Sequence, residues 1–323
     1  MPRKMLIDTD TASDDAVALV LALTDPRVEV QAITIVAGNV TAAQGARNAI
    51  YTRELCGSSV PVHIGADQPL KRGLVTAQNV HGADGMGDIG LPLAGAAADS
   101  DDAVGVIIDL AHHHQGELTL VALGPLTNLA LALQRDPSIA TLFDRVVIMG
   151  GTGDHSGNIT PVAEFNIYVD PEAADVVFKS GMAIEMVGWD VSRTDATLSG
   201  DEVDHLATLG PLGEFCAAIQ RQLREFCRTV TKIDGVDLPD PVTMAIAIDP
   251  MVARDTFRVH VAVETTGTLT RGMTVVDRLG LLDLQPNVQV VLRADRDRFQ
   301  NMLHEACARP ATGSFLHGDS LRG

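Results

Sequence analysis

Met5-Leu6-Ile7-Asp8-Thr9-Asp10-Thr11-Ala12-Ser13-Asp14-Asp15-Ala16-Val17-Ala18-Leu19 opens the 323-residue chain and decides how the rest is read. Met5 to Ile7 reads as the end of a buried strand. Ala16 to Leu23 reads as a helix of good formers closed by Asp25-Pro26. Between them lie Asp8, Asp10, Asp14 and Asp15, four carboxylates in eight residues. Ser13 or Asp14 can cap a helix, and acids in a first turn suit its dipole. Neither effect accounts for Asp8 and Asp10 at the carboxyl end of a core strand. Four anions this close repel one another and raise each other's pKa values unless a cation sits among them. A hard divalent ion with oxygen ligands resolves the conflict, so the stretch predicts a metal site.

Outward from this stretch, strand-like and helical runs alternate. Strands are expected at Val28–Val36, Val60–Gly65, Leu118–Leu123, Val146–Met149 and Ile184–Val187. Helices are expected at Thr41–Cys56, Ala103–His113, Thr127–Gln134 and Pro171–Lys179. Such alternation implies βαβ units, an α/β fold with a mostly parallel central sheet flanked by helices, Rossmann-like, with ligands at the carboxyl ends of strands. Asp8, Asn39, Leu123 and Met149 fall at such ends. No repeat or long linker divides the chain, which reads as one compact domain over 1–323. Residues 93–102 read as a surface loop and the tail from about 309 to 323 as poorly ordered.

Other polar residues have ordinary readings of their own. Asn39 suits a turn. His81, in His-Gly-Ala-Asp-Gly-Met-Gly, suits a solvated loop or one that covers a ligand. Glu164 and Asn166 would share one face of an extended segment around a buried Phe165. Asp240 before Pro241 suits an N-cap ahead of the apolar helical run Val242–Ile248. His112, His113 and His114 would point about 100° apart on a helix and cannot converge on one ion.

The N-terminal Asp-x-Asp-x-x-x-Asp-Asp resembles the signature of the nucleoside hydrolases, the inosine-uridine-preferring, calcium-dependent N-ribosyl hydrolases. Thr11-Ala12 stands where that family usually has Pro-Gly. The resemblance continues through Ile33–Asn39, His81–Gly87, Val121–Asn128, Met149-Gly150-Gly151 and Gly157-Asn158. It runs on through Ala163–Ala174, Asp240-Pro241 and Gly267–Val275, the last expected as a structural hairpin.

The resemblance implies hydrolysis of the N-glycosidic bond of ribonucleosides to ribose and free base. It places Ca²⁺ on Asp10, Asp15, the Leu123 carbonyl and Asp240. A water held by the metal would attack, with Asp10 as the base that takes its proton. It places Asp14, Asn39, Met149, Asn158, Glu164 and Asn166 against the substrate, with Asp8 supporting the metal ligands. A homodimer or homotetramer is also implied. One departure matters. Well-studied members carry a His just before the Asp240 position, proposed to protonate the departing base, and this chain has Pro239. Proline has no titratable group, which leaves His81 as the first substitute acid. Nor does the loop Thr229–Leu238 supply the aromatic or Arg residues that some members place over the base.

Composition narrows the partners. At a formal charge of −18 the chain suits neither nucleic acid nor an anionic membrane. No apolar run approaches ~18 residues and no signal segment follows Pro2-Arg3-Lys4. Cys56, Cys216, Cys227 and Cys307 lack Cys-x-x-Cys spacing and read as reduced thiols, so a cytoplasmic protein is expected. Aromatic content of 3% requires an aliphatic core. Two alternatives stay open. A haloacid-dehalogenase-type phosphohydrolase also begins with a strand and Asp-x-Asp-x-Thr, but would need a downstream Lys and a second acidic pair. A non-catalytic nucleoside-binding protein could keep the fold and lose turnover.

Overall fold

A computed structural model describes residues 2–95, 97–153 and 156–312. Its strands are β1 (Arg3–Thr9), β2 (Val28–Ile35), β3 (Val62–Ile64), β4 (Leu118–Ala122), β5 (Phe143–Met149), β6 (Ile184–Val187), β7 (Thr197–Ser199), β8 (Gly235–Asp237), β9 (Thr256–Val259), β10 (Val261–Val263), β11 (Thr274–Val276) and β12 (Val288–Val291). Eight of them form one sheet in the order β3-β2-β1-β4-β5-β6-β12-β9. Every pairing in it is parallel except β12 with β9. The expected α/β architecture is the observed one.

Side chains alternate across the strands, and the two sets go to two cores. Met5, Ile7, Val121 and Val147 pack with the helices Ser13–Thr24, Ala42–Leu55, Pro239–Ile248 and Arg296–Cys307. Leu6, Leu120, Val146 and Ile148 pack on the other face with Ala103–His113, Thr127–Arg135 and Pro171–Phe178. With both faces covered, β1 must be apolar from Met5 to Ile7, and those residues are fully buried.

Chain order explains where the site lies. The chain runs outward from β1 to β2 and β3, then crosses back so that β4 lies on the other side of β1. Connections therefore diverge beyond the carboxyl ends of β1 and β4, which opens a crevice there. Asp10 follows β1 directly and Leu123 follows β4 directly.

Several local expectations change in three dimensions. The helix after β1 begins at Ser13 with Ala12 as its N-cap, so neither Ser13 nor Asp14 caps it. Instead Asp15 reaches back to the Ala12 N–H at 2.9 Å. Asp240 is not an N-cap either: the helix starts at Pro239, with Leu238 before it. Proline fits that first position because the N–H it lacks would have no helical partner anyway. Residues Phe165–Val169 form a short helix and not an extended segment. Glu164 is its N-cap and accepts from Asn166 N at 2.8 Å and Ile167 N at 3.2 Å. Of the hairpin expected at Gly267–Val275, only Thr274 and Val275 lie in a strand, β11; its antiparallel partner β10 precedes the segment, most of which is the connection between them. His112 and His113 are exposed, and His112 bonds Asp136 at 2.7 Å.

The sequence reading had no elements between β6 and the Asp240 helix, where β7, β8, four α-helices and a π-helical turn lie. Of the tail, Thr312 bonds the carbonyls of Leu55 and Glu54. The rest of the tail, 313–323, lies outside the described residues. Among the described residues no helix is long and apolar enough to cross a membrane.

Candidate active site

The ends of β1, β2, β4, β5 and β6 surround a cavity of about 600 Å³. Asp14, Asn39, His81, Leu123, Met149, Asn158, Glu164, Asn166 and Asp240 all line it. Every substrate contact expected from the sequence is therefore on one wall or another of the same cavity. A smaller cavity of about 270 Å³ lies against the helices Ser13–Thr24 and Arg296–Cys307 and shares no residue with it.

The acids sit deepest. Asp8, Asp10 and Asp15 are fully buried, and Asp14 and Asp240 nearly so. Asp14, Asp15 and Asp240 each offer a carboxylate oxygen within 4.8 Å of the others. Asp10, expected among the ligands, stands beside this trio with Asp15 as its closest charged neighbour in effect. Asp14, expected as a sugar contact, belongs to the trio. Burial first, then the charge of Asp15, holds Asp10 and Asp240 well above the usual carboxylate range. Burial likewise pushes Asp14 up to about 6. Among the described residues Asp10 Oδ1 and Asp14 Oδ1 are buried without a hydrogen-bond partner. A buried cluster of oxygen donors only, in which Asp10 Oδ1 and Asp14 Oδ1 have no partner, fits a hard divalent cation.

The frame around the acids is specific. Asp10 Oδ2 accepts the Asn39 N–H at 2.5 Å. A Cβ on Gly38 would lie 2.1 Å from that same oxygen, so only glycine lets the turn after β2 approach Asp10. Asp15 accepts from Thr9 Oγ1 at 2.5 Å, and Asp8 accepts from Thr34 Oγ1 at 2.6 Å and Asn128 Nδ2 at 2.8 Å. Asn48, inside the helix after β2, donates to the carbonyls of Thr11 and Asp84 and so ties the acidic turn to the loop after His81.

On the opposite wall, Glu164 accepts from Gly151 N at 2.9 Å as well as from its own helix. Burial still pushes it up to about 7. Asn166 Nδ2 donates to the carbonyls of Leu123 (2.7 Å) and Met149 (3.2 Å), which leaves its Oδ1 as an acceptor. The Leu123 carbonyl keeps a second lone pair.

His81 is neither solvated nor on a free loop. It is 7% exposed, its Nδ1 lies 2.8 Å from Ser13 Oγ and 3.7 Å from Asp14 Oδ1, and Gln220 completes the group by donating to the Ser13 carbonyl. Burial lowers its pKa to about 4, so the ring is neutral at pH 7.

The remaining wall was not foreseen. Trp189, Arg193, Leu223, Phe226, Val230 and Asp237 complete the cavity. Thus the aromatic and Arg residues missing from Thr229–Leu238 come from other segments. Trp189 is the single Trp of the chain and begins a helix two residues past β6. The strand-end rule already applied to Asp8 and Leu123 would have found it at β6.

Comparison with known proteins bears on this cavity. The family model for inosine-uridine preferring nucleoside hydrolase matches residues 5–301. A pyrimidine-specific ribonucleoside hydrolase RihA from Klebsiella pneumoniae is 39% identical over 314 residues, 95% of this chain and 99% of that protein. Among solved structures, the plant nucleoside hydrolase PpNRh1 superposes with a TM-score of 0.91 at 33% identity, covering 96% of this chain and 100% of that one. A purine-preferring ribonucleoside hydrolase from Gardnerella vaginalis gives 0.88 at 32% identity, covering 95% and 98%. The relatives thus divide over the base they are named for.

Proposed function

The chain belongs to the inosine-uridine preferring nucleoside hydrolase family, and from that premise we propose that it hydrolyses the C1′–N bond of ribonucleosides in a calcium-dependent reaction with Asp10 as the base. Membership makes it a ribonucleoside hydrolase and removes the phosphohydrolase alternative; the metal and the roles of individual residues are our reading. The observation that carries it is the cluster of buried acids, of which Asp14 and Asp240 line a cavity whose other walls hold Asn39, Glu164 and Asn166, with Asp10 and Asp15 buried behind them.

Asp10, Asp15, Asp240 and the Leu123 carbonyl would hold the ion, with Asp14 between it and the sugar. When bound, calcium would lower the pKa of a water and anchor ribose hydroxyls. Asp10 is fixed through Oδ2 by Asn39, which leaves Oδ1 to take the water's proton. Glu164 and the Asn166 Oδ1 would receive ribose hydroxyls, with Asn158 at the cavity's exposed rim. As the C1′–N bond lengthens, positive charge grows on the ribosyl ring. The surrounding carboxylates favour that charge more than they favour the neutral sugar.

The test is release of free base from a panel of uridine, cytidine, inosine and adenosine. Base released from at least one of them is expected. Tight ribose binding with no release from any would replace this reading by a non-catalytic binding protein.

Pro239 supplies no proton to the departing base. His81 lines the cavity but is held neutral, so it would offer the base an N–H hydrogen bond and not an imidazolium proton. A neutral hydrogen bond is worth about 1 kcal/mol. His81→Ala should therefore slow natural nucleosides roughly fivefold, and a p-nitrophenyl riboside, whose leaving group needs no help, much less. Equal slowing of both in steady-state assays would reduce His81 to a wall of the site.

A further inference from the structure

With no acid at Pro239, the departing base needs a way to accommodate the electron pair it receives. Among the described residues Arg193 is the only Lys or Arg lining the cavity. It stands four residues after Trp189 on the helix Trp189–Asp195, so both side chains project from one face of it. Both line the cavity, which pairs a flat indole with a planar guanidinium.

Arg193 is also held in place. Its Nη1 donates to Asp237 Oδ2 at 2.8 Å, and the other oxygen of Asp237 accepts from Thr197 Oγ1 at 2.5 Å. The carboxylate is the buried partner, 4% exposed, and the guanidinium the accessible one, 38% exposed. Asp237 engages a single nitrogen. The guanidinium has five N–H donors, and the others have no partner among the described residues. A cation tethered at one corner, on the same helix face as an aromatic side chain, suits a flat heterocycle that carries a carbonyl oxygen.

We propose that Trp189 and Arg193 form the base-recognition wall, in which Arg193 donates to a carbonyl oxygen of the nucleobase and takes up the negative charge that reaches it as the base leaves. This deepens the ribonucleoside hydrolase reading and rests on it. In the step, the C1′–N bond breaks and its electron pair passes to the ring nitrogen and, by conjugation, to the carbonyl oxygen facing Arg193. The water oxygen bonds to C1′ and its proton goes to Asp10. The base departs as an anion and is protonated by solvent afterwards. Bases with a carbonyl at the recognised position, hypoxanthine or uracil, are preferred over adenine or cytosine, which present an amino group there and so a donor against a donor.

The test compares inosine with adenosine, or uridine with cytidine, whichever pair the parent enzyme cleaves, together with a p-nitrophenyl riboside. A hydrogen bond from a charged donor is worth roughly 10–10²-fold. Arg193→Met should lower kcat/KM for the oxo base by that factor, lower it for the amino base by less than about threefold, and so level the ratio between them. The p-nitrophenyl riboside should follow the amino base. Arg193→Lys keeps the cation but not the planar fork and should recover part of the preference. If Arg193→Met fails to fold, Arg193→Gln, which keeps a donor without charge, serves in its place with a smaller expected ratio change in the same direction. Equal slowing of all substrates, or an unchanged ratio in a variant with parental thermal stability, would mean that the Arg193–Asp237 pair only braces the wall, and the proposal falls. A parent enzyme inactive on every riboside would instead remove the hydrolase reading beneath it.

Discussion

Asp10→Asn should lower ribonucleoside turnover by about 10²–10⁴ while ribose binding is largely retained, the range expected when a general base is lost. Asparagine keeps the shape of the side chain, and its amide oxygen can accept the Asn39 N–H that Asp10 Oδ2 accepts now. It can also still offer an oxygen toward a cation. What disappears is the proton acceptor: the unpartnered Oδ1 becomes an NH₂ group that cannot take a proton from water. The variant therefore separates chemistry from architecture better than Ala would, because a Cβ-only side chain would also release the turn at Gly38-Asn39. Steady-state kinetics with the preferred nucleoside and calorimetry with ribose should show a large fall in kcat and a small change in ribose affinity. Parental turnover would show that Asp10 is not the base.

Removing the divalent cation should abolish base release and, at the same time, give the protein an unusual pH response. Burial raises Asp8 to about 6, Asp14 to about 6 and Glu164 to about 7, and it raises Asp10, Asp15 and Asp240 as well. A carboxyl whose folded pKa exceeds its unfolded value binds its proton more firmly in the native state. Its contribution is complete below the unfolded value and is lost as pH rises through the folded one, here from about pH 4 to about pH 7. His81, lowered to about 4, acts in the opposite sense below its ordinary value but is one group against six.

Partly exposed acids with lowered values, Asp136 and Glu202 at about 2, act at lower pH. Chelated protein should thus melt at a higher temperature near about pH 5 than near about pH 8. Calcium should raise the melting temperature most at the higher pH, because it compensates ionised carboxylates and binds only the folded site. A melting temperature indifferent to calcium at both pH values would argue that these acids hold no ion.

The division between what could be read and what could not follows from distance along the chain. Asp8, Asp10, Asp14 and Asp15 lie within eight residues, so their repulsion was evident before any fold was known. The parallel sheet was equally legible, since β1, β4 and β5 bury both faces and must be continuously apolar. Ala103–His113 and Ile184–Val187 have the bounds expected from their patterns. Even Asp240, far along the chain, could be matched through its Asp-Pro context, though its place inside the helix and not at the cap required the backbone.

Other features exist only in three dimensions. Asn39 was singled out as a side chain, yet what the fold uses first is its backbone N–H on Asp10, 29 residues away. Gly38 is required because two turns meet, which no local pattern encodes. The neutrality of His81 comes from burial against Ser13 and Asp14 across 68 residues of chain. Trp189 and Arg193 join Phe226 and Asp237 from separate segments to line the cavity. Local sequence determined the elements from β1 to β6 and the N-terminal cluster of acids, because period and charge density act between neighbours. The tertiary structure alone decided the frame that orients Asp10, the state of His81 and the wall that would meet the base, because each depends on burial and contact between residues the chain keeps apart.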